Sequence, residues 1–93
     1  MAKNTTDPLE LMVARTLDEC SIGYRCPDQE KWGVFGSRLD FYIPLWDIYI
    51  ECKAWGTPRI HPQVENVNNC IILTGLAATA RFCDLVRRAH ANN

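Results

Sequence analysis

Two runs of alternating apolar and polar residues, 39–43 and 48–55, stand four residues apart, and that spacing limits the fold more than any other feature of the chain. In the first, Leu39, Phe41 and Ile43 alternate with Asp40 and Tyr42. In the second, Tyr49, Glu51, Lys53 and Trp55 share one face, and Ile48, Ile50, Cys52 and Ala54 share the other. Residues 44–47 read as the turn between them. An antiparallel hairpin is expected, and the rest of the chain must supply its other layers.

A helix is announced ahead of the hairpin. Asp7 suits the N-cap, Pro8 the first helical position, and Glu10 the third, which completes a capping-box pattern. Leu9, Met12, Val13, Thr16, Leu17 and Cys20 then recur along one helical face, and the helix should stop near residues 21–23. Residues 22–26 read as a short strand and 27–37 as a polar, Gly-containing loop. After the hairpin, Gly56, Pro58 and Pro62 break the pattern into a loop or a single helical turn. Residues 70–74 (CIILT) form a short apolar run, as expected of a strand covered on both faces. A closing helix over 76–90 should turn Ala78, Phe82, Leu85, Val86 and Ala89 inward. The order α-β-β-β-loop-β-α predicts an α/β fold, with a small mixed central sheet of about four strands flanked by helices. At 93 residues, without repeats or low-complexity stretches, residues 1–93 read as one domain.

Charge narrows the function. Ten Lys and Arg against eleven Asp and Glu give a net charge of −1. That excludes a strongly basic DNA coat protein, which needs a large Lys/Arg excess, but leaves room for an enzyme with a local patch. No apolar run reaches the ~18–20 residues of a membrane-spanning helix, and no secretory leader is visible, so no membrane partner and a cytoplasmic location are expected. Five cysteines at irregular spacing do not make a disulfide framework. Zinc is not expected either, because Cys20 and Cys26 have five residues between them and no closer pair exists. They read as small buried hydrophobes.

The chemistry concentrates in residues 38–55. Asp40 lies on the polar side of the first strand, and Glu51 and Lys53 point the same way from the second, ~6.5–7 Å apart along the backbone. A hairpin brings Asp40 near both at one end of the sheet. Carboxylates that converge repel unless a cation lies between them, and Mg²⁺ takes one or two carboxylates together with waters and substrate phosphate. A lysine beside them can position a water.

Asp40 followed by Glu51-Cys52-Lys53 on alternating β-residues resembles the PD-(D/E)xK nuclease superfamily, which includes restriction endonucleases, mismatch and junction endonucleases and small viral repair nucleases. The resemblance covers nearly the whole chain, since the α-β-β-β-α-β core of the superfamily matches most of the order above. It implies that Asp40, Glu51 and the Cys52 backbone carbonyl ligate Mg²⁺, with Mn²⁺ able to substitute, and that Lys53 orients the attacking water. Glu10 resembles the extra acid many members carry on their first helix, and Gln63 the glutamine some branches place after the lysine. Glu19 is the fallback for Glu10. The implied activity is a metal-dependent DNA endonuclease that hydrolyses phosphodiester bonds by metal-activated water, leaving 5′-phosphate and 3′-hydroxyl ends, in a bacterial or phage-infected cell.

Lys31, Trp32 and Arg38 in the loop before the first hairpin strand are candidate DNA contacts, as is Arg25; Arg81 and Arg88, with Arg87 beside them, offer a phosphate-tracking edge on the last helix, and His61 reads as an exposed loop histidine. A chain this small offers little surface for specific DNA, whose interfaces take ~1,000–2,500 Å² for all but single modules, so a homodimer is expected. The competing readings are a catalytically idle nuclease-fold module that binds DNA or protein, and an interaction protein with Trp32, Trp46 and Trp55 as anchors.

Overall fold

Asp7 opens the first helix as its spacing predicts. Its Oδ1 accepts the N–H groups of Leu9 (2.8 Å) and Glu10 (3.1 Å), and Pro8 takes the first helical position. In the computed structural model, which describes residues 3–54 and 67–92, this helix is α1 (Pro8–Glu19). The capping box is only half made. The Asp7 N–H donates to Thr5 Oγ1 (3.1 Å), and the Glu10 carboxylate turns to Lys3 instead. A short 3₁₀ helix (Pro27–Gln29) precedes the hairpin strands β1 (Phe41–Ile43) and β2 (Ile48–Lys53). Strand β3 (Cys70–Thr74) leads directly into α2 (Gly75–Ala91).

The hairpin forms in the expected register, with Phe41 opposite Ile50 and Ile43 opposite Ile48. Its turn closes through Asp47, whose Oδ1 accepts the Tyr42 hydroxyl at 2.6 Å. β2 is the central strand, antiparallel to β1 and parallel to β3, so the sheet is mixed. Both helices pack on one face, where Phe41, Ile43, Ile50 and Leu73 meet Val13 and Leu17 of α1 and Cys83 and Val86 of α2. On the other face Tyr42 and Tyr49 pack with Val34 and Leu39.

The sheet of the described residues has three strands, not about four. The backbone of residues 22–26 pairs with it only where Arg25 meets Tyr42, exchanging bonds of 2.8 and 2.9 Å. The reason lies in the length of β1. In a three-residue antiparallel strand, with Phe41 and Ile43 turned to β2, only the middle residue presents both backbone groups to the outer edge. Leu39 also departs from expectation. The chain bends at Asp40, β1 starts at Phe41, and Leu39 packs with Tyr42 and Tyr49 instead of Phe41 and Ile43.

β3 is not covered on both faces. Among the described residues it lies at the edge of the sheet, and Ile71 and Ile72 remain 38% and 40% exposed while Leu73 alone of the strand is buried. The inward stripe of α2 is Thr79, Cys83 and Val86, not the stripe expected from its apolar residues. Of that expected set Val86 is buried and Phe82 half-buried, whereas Ala78, Leu85 and Ala89 are exposed. A threonine can hold a core position here because its hydroxyl donates to the Gly75 carbonyl at 2.8 Å, which satisfies it within the helix. Val86→Ala should therefore cost about 1–3 kcal/mol, while Leu85→Ala should stay within about 0.5 kcal/mol. Urea unfolding of the two variants measures both; equal losses would restore Leu85 to the core.

Candidate functional site

The register that pairs Phe41 with Ile50 sets Asp40 against Glu51 one step further out. The chain bends away from the sheet there, and side chains take over the hydrogen bonding that a longer β1 would supply. Asp40 Oδ2 accepts the Cys52 N–H at 2.8 Å, and the Asp40 N–H reaches Glu51 Oε1 at 3.3 Å. In a strand the N–H and C=O of one residue point to the same edge, so the Cys52 carbonyl faces the Asp40 side as well. Glu51 is buried. Lys53 follows two residues later on the same strand face, half-buried.

Two residues that spacing did not reveal complete the cluster. Lys3 reaches in from the N-terminal segment. Its Nζ lies 2.6 Å from Glu10 Oε1, 2.9 Å from Asp28 Oδ2, 2.8 Å from the Asp40 carbonyl and 3.9 Å from Asp40 Oδ1. Asp28 comes from the 3₁₀ helix, and its Oδ1 is buried with no hydrogen-bond partner among the described residues. Glu10, Asp28 and Asp40 each bring a carboxylate oxygen within 4.8 Å of the others. Nothing in the sequence signals this, because Lys3 and Asp28 belong to no periodic element and meet only through the fold.

The electrostatics follow from crowding. Burial and the neighbouring Glu51 carboxyl push Asp40 up to about 7, against the opposing pull of the Cys52 N–H and Lys3. Burial also raises Glu10, despite its bond to Lys3. For Lys3 burial works in the other direction, but the hydrogen bonds to Glu10 and Asp28 outweigh it and hold the ammonium above the ordinary lysine value. Three carboxyl groups, those of Glu10, Asp28 and Asp40, thus gather around one fully buried ammonium, that of Lys3, and Glu51 adjoins Asp40. Beside that nest Asp40, Glu51 and the Cys52 carbonyl offer hard oxygens, a set that fits a small divalent cation. By contrast, burial raises the thiols of Cys26 and Cys70, the latter to about 11, and so keeps them uncharged.

Of the other expected site residues, Gln63, His61 and Trp55 lie outside the described residues. Glu19 is not at the cluster; it pairs with Arg87 at 3.3 Å. Arg38 is exposed but occupied, donating to the carbonyls of Asp28, Glu30 and Lys31 at 3.2, 2.8 and 3.2 Å. Arg81 and Arg88 are exposed and both reach Asp84, at 3.5 and 3.2 Å. Arg25 pairs with Glu30. Trp32 stands 80% exposed with the Lys31 ammonium 5.1 Å from its ring centroid. Phe35 is 84% exposed, at φ 51°, an unusual conformation for a bulky residue. Compared with family models, curated proteins and solved structures, the chain matches none of them.

The raised Asp40 has a consequence for stability. Folded Asp40 keeps its proton up to about pH 7, whereas the unfolded chain gives it up near the ordinary aspartate value of 3.8. Across that window the folded state binds more protons, so stability falls as pH rises; Glu10 acts in the same direction. In EDTA, unfolding free energy should drop by roughly 1–3 kcal/mol between pH 5 and pH 8, and Asp40→Asn should remove most of the slope. Chemical denaturation at the two pH values reads this directly, and a flat profile in the parent chain would overturn the electrostatic account.

Proposed function

We propose that this protein is a Mg²⁺-dependent DNA endonuclease that hydrolyses phosphodiester bonds. The observation that carries the reading is the Asp40–Glu51 carboxyl pair at the open end of the hairpin, short of positive charge, with Lys53 on the same strand face as Glu51. Asp40 and Glu51 would hold the ion, with the Cys52 carbonyl as a third oxygen. When bound, it supplies a Lewis acid for a phosphate oxygen. The residues of the chain do the rest. Lys53 holds the attacking water in line and carries positive charge toward the phosphate. The Cys52 N–H keeps the Asp40 carboxylate pointed at the sheet edge, and Glu10 is the second-rank acid behind the pair. By the resemblance that motivates this reading, the products carry 5′-phosphate and 3′-hydroxyl ends.

Exposed Trp32 and Phe35, with the Lys31 ammonium over the Trp32 ring, support a nucleic-acid contact in which bases stack on rings. Arg81 and Arg88 supply charge on α2, although Asp84 partly offsets it. Incubation with supercoiled plasmid and a synthetic four-way junction, in Mg²⁺, Mn²⁺ or EDTA, tests the activity. Cleavage should require the metal and fall by roughly 10²–10⁴-fold in Lys53→Ala, with Asp40→Asn also impaired. A folded protein that cleaves neither substrate with either metal would sink the enzyme reading.

The small surface of one chain argues for a homodimer, which also suits a cut in each strand of a duplex. Light scattering on a size-exclusion column should give twice the monomer mass at micromolar concentration; the monomer mass would remove the dimer and leave the chemistry standing.

A further inference from the structure

The Lys3 side chain is fully buried, at 0% exposure, and its ammonium is saturated. Three oxygens lie within hydrogen-bonding distance of its three donors: Glu10 Oε1 at 2.6 Å, Asp28 Oδ2 at 2.9 Å and the Asp40 carbonyl at 2.8 Å. The Phe41 ring adds a negative face 4.6 Å from Nζ. Three carboxylates and a carbonyl converging on one positive centre is the donor set of a cation site, and the 4.8 Å envelope of the carboxylate oxygens is the span that a single ion bridges at ~2.1–2.4 Å per bond. Here the centre is occupied by the chain itself.

We propose that the Lys3 ammonium is a tethered cation standing in for a second divalent ion, so that the site takes one metal, at Asp40 and Glu51, and not two. The inference rests on the metal-dependent reading above and deepens it. Lys3 is a positioning residue. It holds Glu10 and Asp28 against each other's repulsion and pins the Asp40 backbone carbonyl, while the Asp40 carboxyl, at 3.9 Å, stays beyond hydrogen-bonding distance of the ammonium and adjoins Glu51. At 0% exposure its charge stays out of reach of a substrate phosphate, so its effect is exerted through the carboxylates.

Mn²⁺ titration followed by the electron paramagnetic resonance of free ion counts the sites without reference to cleavage. The parent chain should bind one ion, Lys3→Met two, and Asp28→Asn one at unchanged affinity. Two ions in the parent chain, one ion in a folded Lys3→Met, or loss of the ion in Asp28→Asn would each overturn the proposal while leaving a metal-binding protein. If Lys3→Met fails to fold, the parent and Asp28→Asn arms still decide, because a metal seated in the Lys3 nest must depend on Asp28. No ion bound by the parent chain at all would instead remove the metal-dependent reading and this inference with it.

Discussion

A carboxyl group leaving water must find a positive partner or keep its proton, and that constraint shapes the whole open end of the hairpin. Five separate stretches of chain contribute to it: Lys3, Glu10, Asp28, Asp40 and Glu51. The Asp7 cap sets where α1 begins, which places Glu10 on the first turn, within reach of a lysine four residues upstream of that cap. The 3₁₀ helix turns Asp28 to the same ammonium. Asp40 meets the constraint in both ways, accepting a backbone N–H and holding a proton toward neutral pH. A hairpin whose first strand continued past Phe41 would have used backbone groups for the same bonds and freed no carboxylate.

Local chemistry was readable in the sequence and long-range convergence was not. Asp7 and Pro8 announce α1 because capping involves neighbours, and the alternation in 39–43 and 48–55 yields the hairpin register because a four-residue turn leaves little choice. From that register the juxtaposition of Asp40 and Glu51 follows. Hydrophobicity points to Val86 and Phe82 correctly on α2 but to Leu85 wrongly, whereas Thr79 satisfies its own hydroxyl and packs inside. Alternation puts Leu39 on the face of Phe41 because it assumes a straight strand, and the chain bends at Asp40. Lys3 and Asp28, separated by 25 residues, carry no pattern; only the folded chain brings them together.

The two faces of the sheet are built differently. Helices cover one with aliphatic side chains, while the other is closed by Val34 and Leu39 over the Tyr42–Tyr49 pair, whose ring centroids are 4.8 Å apart. The loop over the tyrosines is tied to the acidic cluster through Arg38, which donates to the Asp28 carbonyl at 3.2 Å.

The loop is also stiff. Val34 and Ser37 exchange both backbone bonds at 2.9 Å, the Tyr49 hydroxyl donates to the Val34 carbonyl at 3.0 Å, and Arg38 clamps three carbonyls upstream. Gly33 is required in it, because at φ 66° a Cβ would fall 2.1 Å from the Ser37 carbonyl oxygen. Trp32 and Phe35 therefore project from a turn whose conformational entropy was lost when the chain folded. A flat ligand that meets these rings orders two side chains and no backbone, which is preorganisation of the kind that raises affinity without adding a contact.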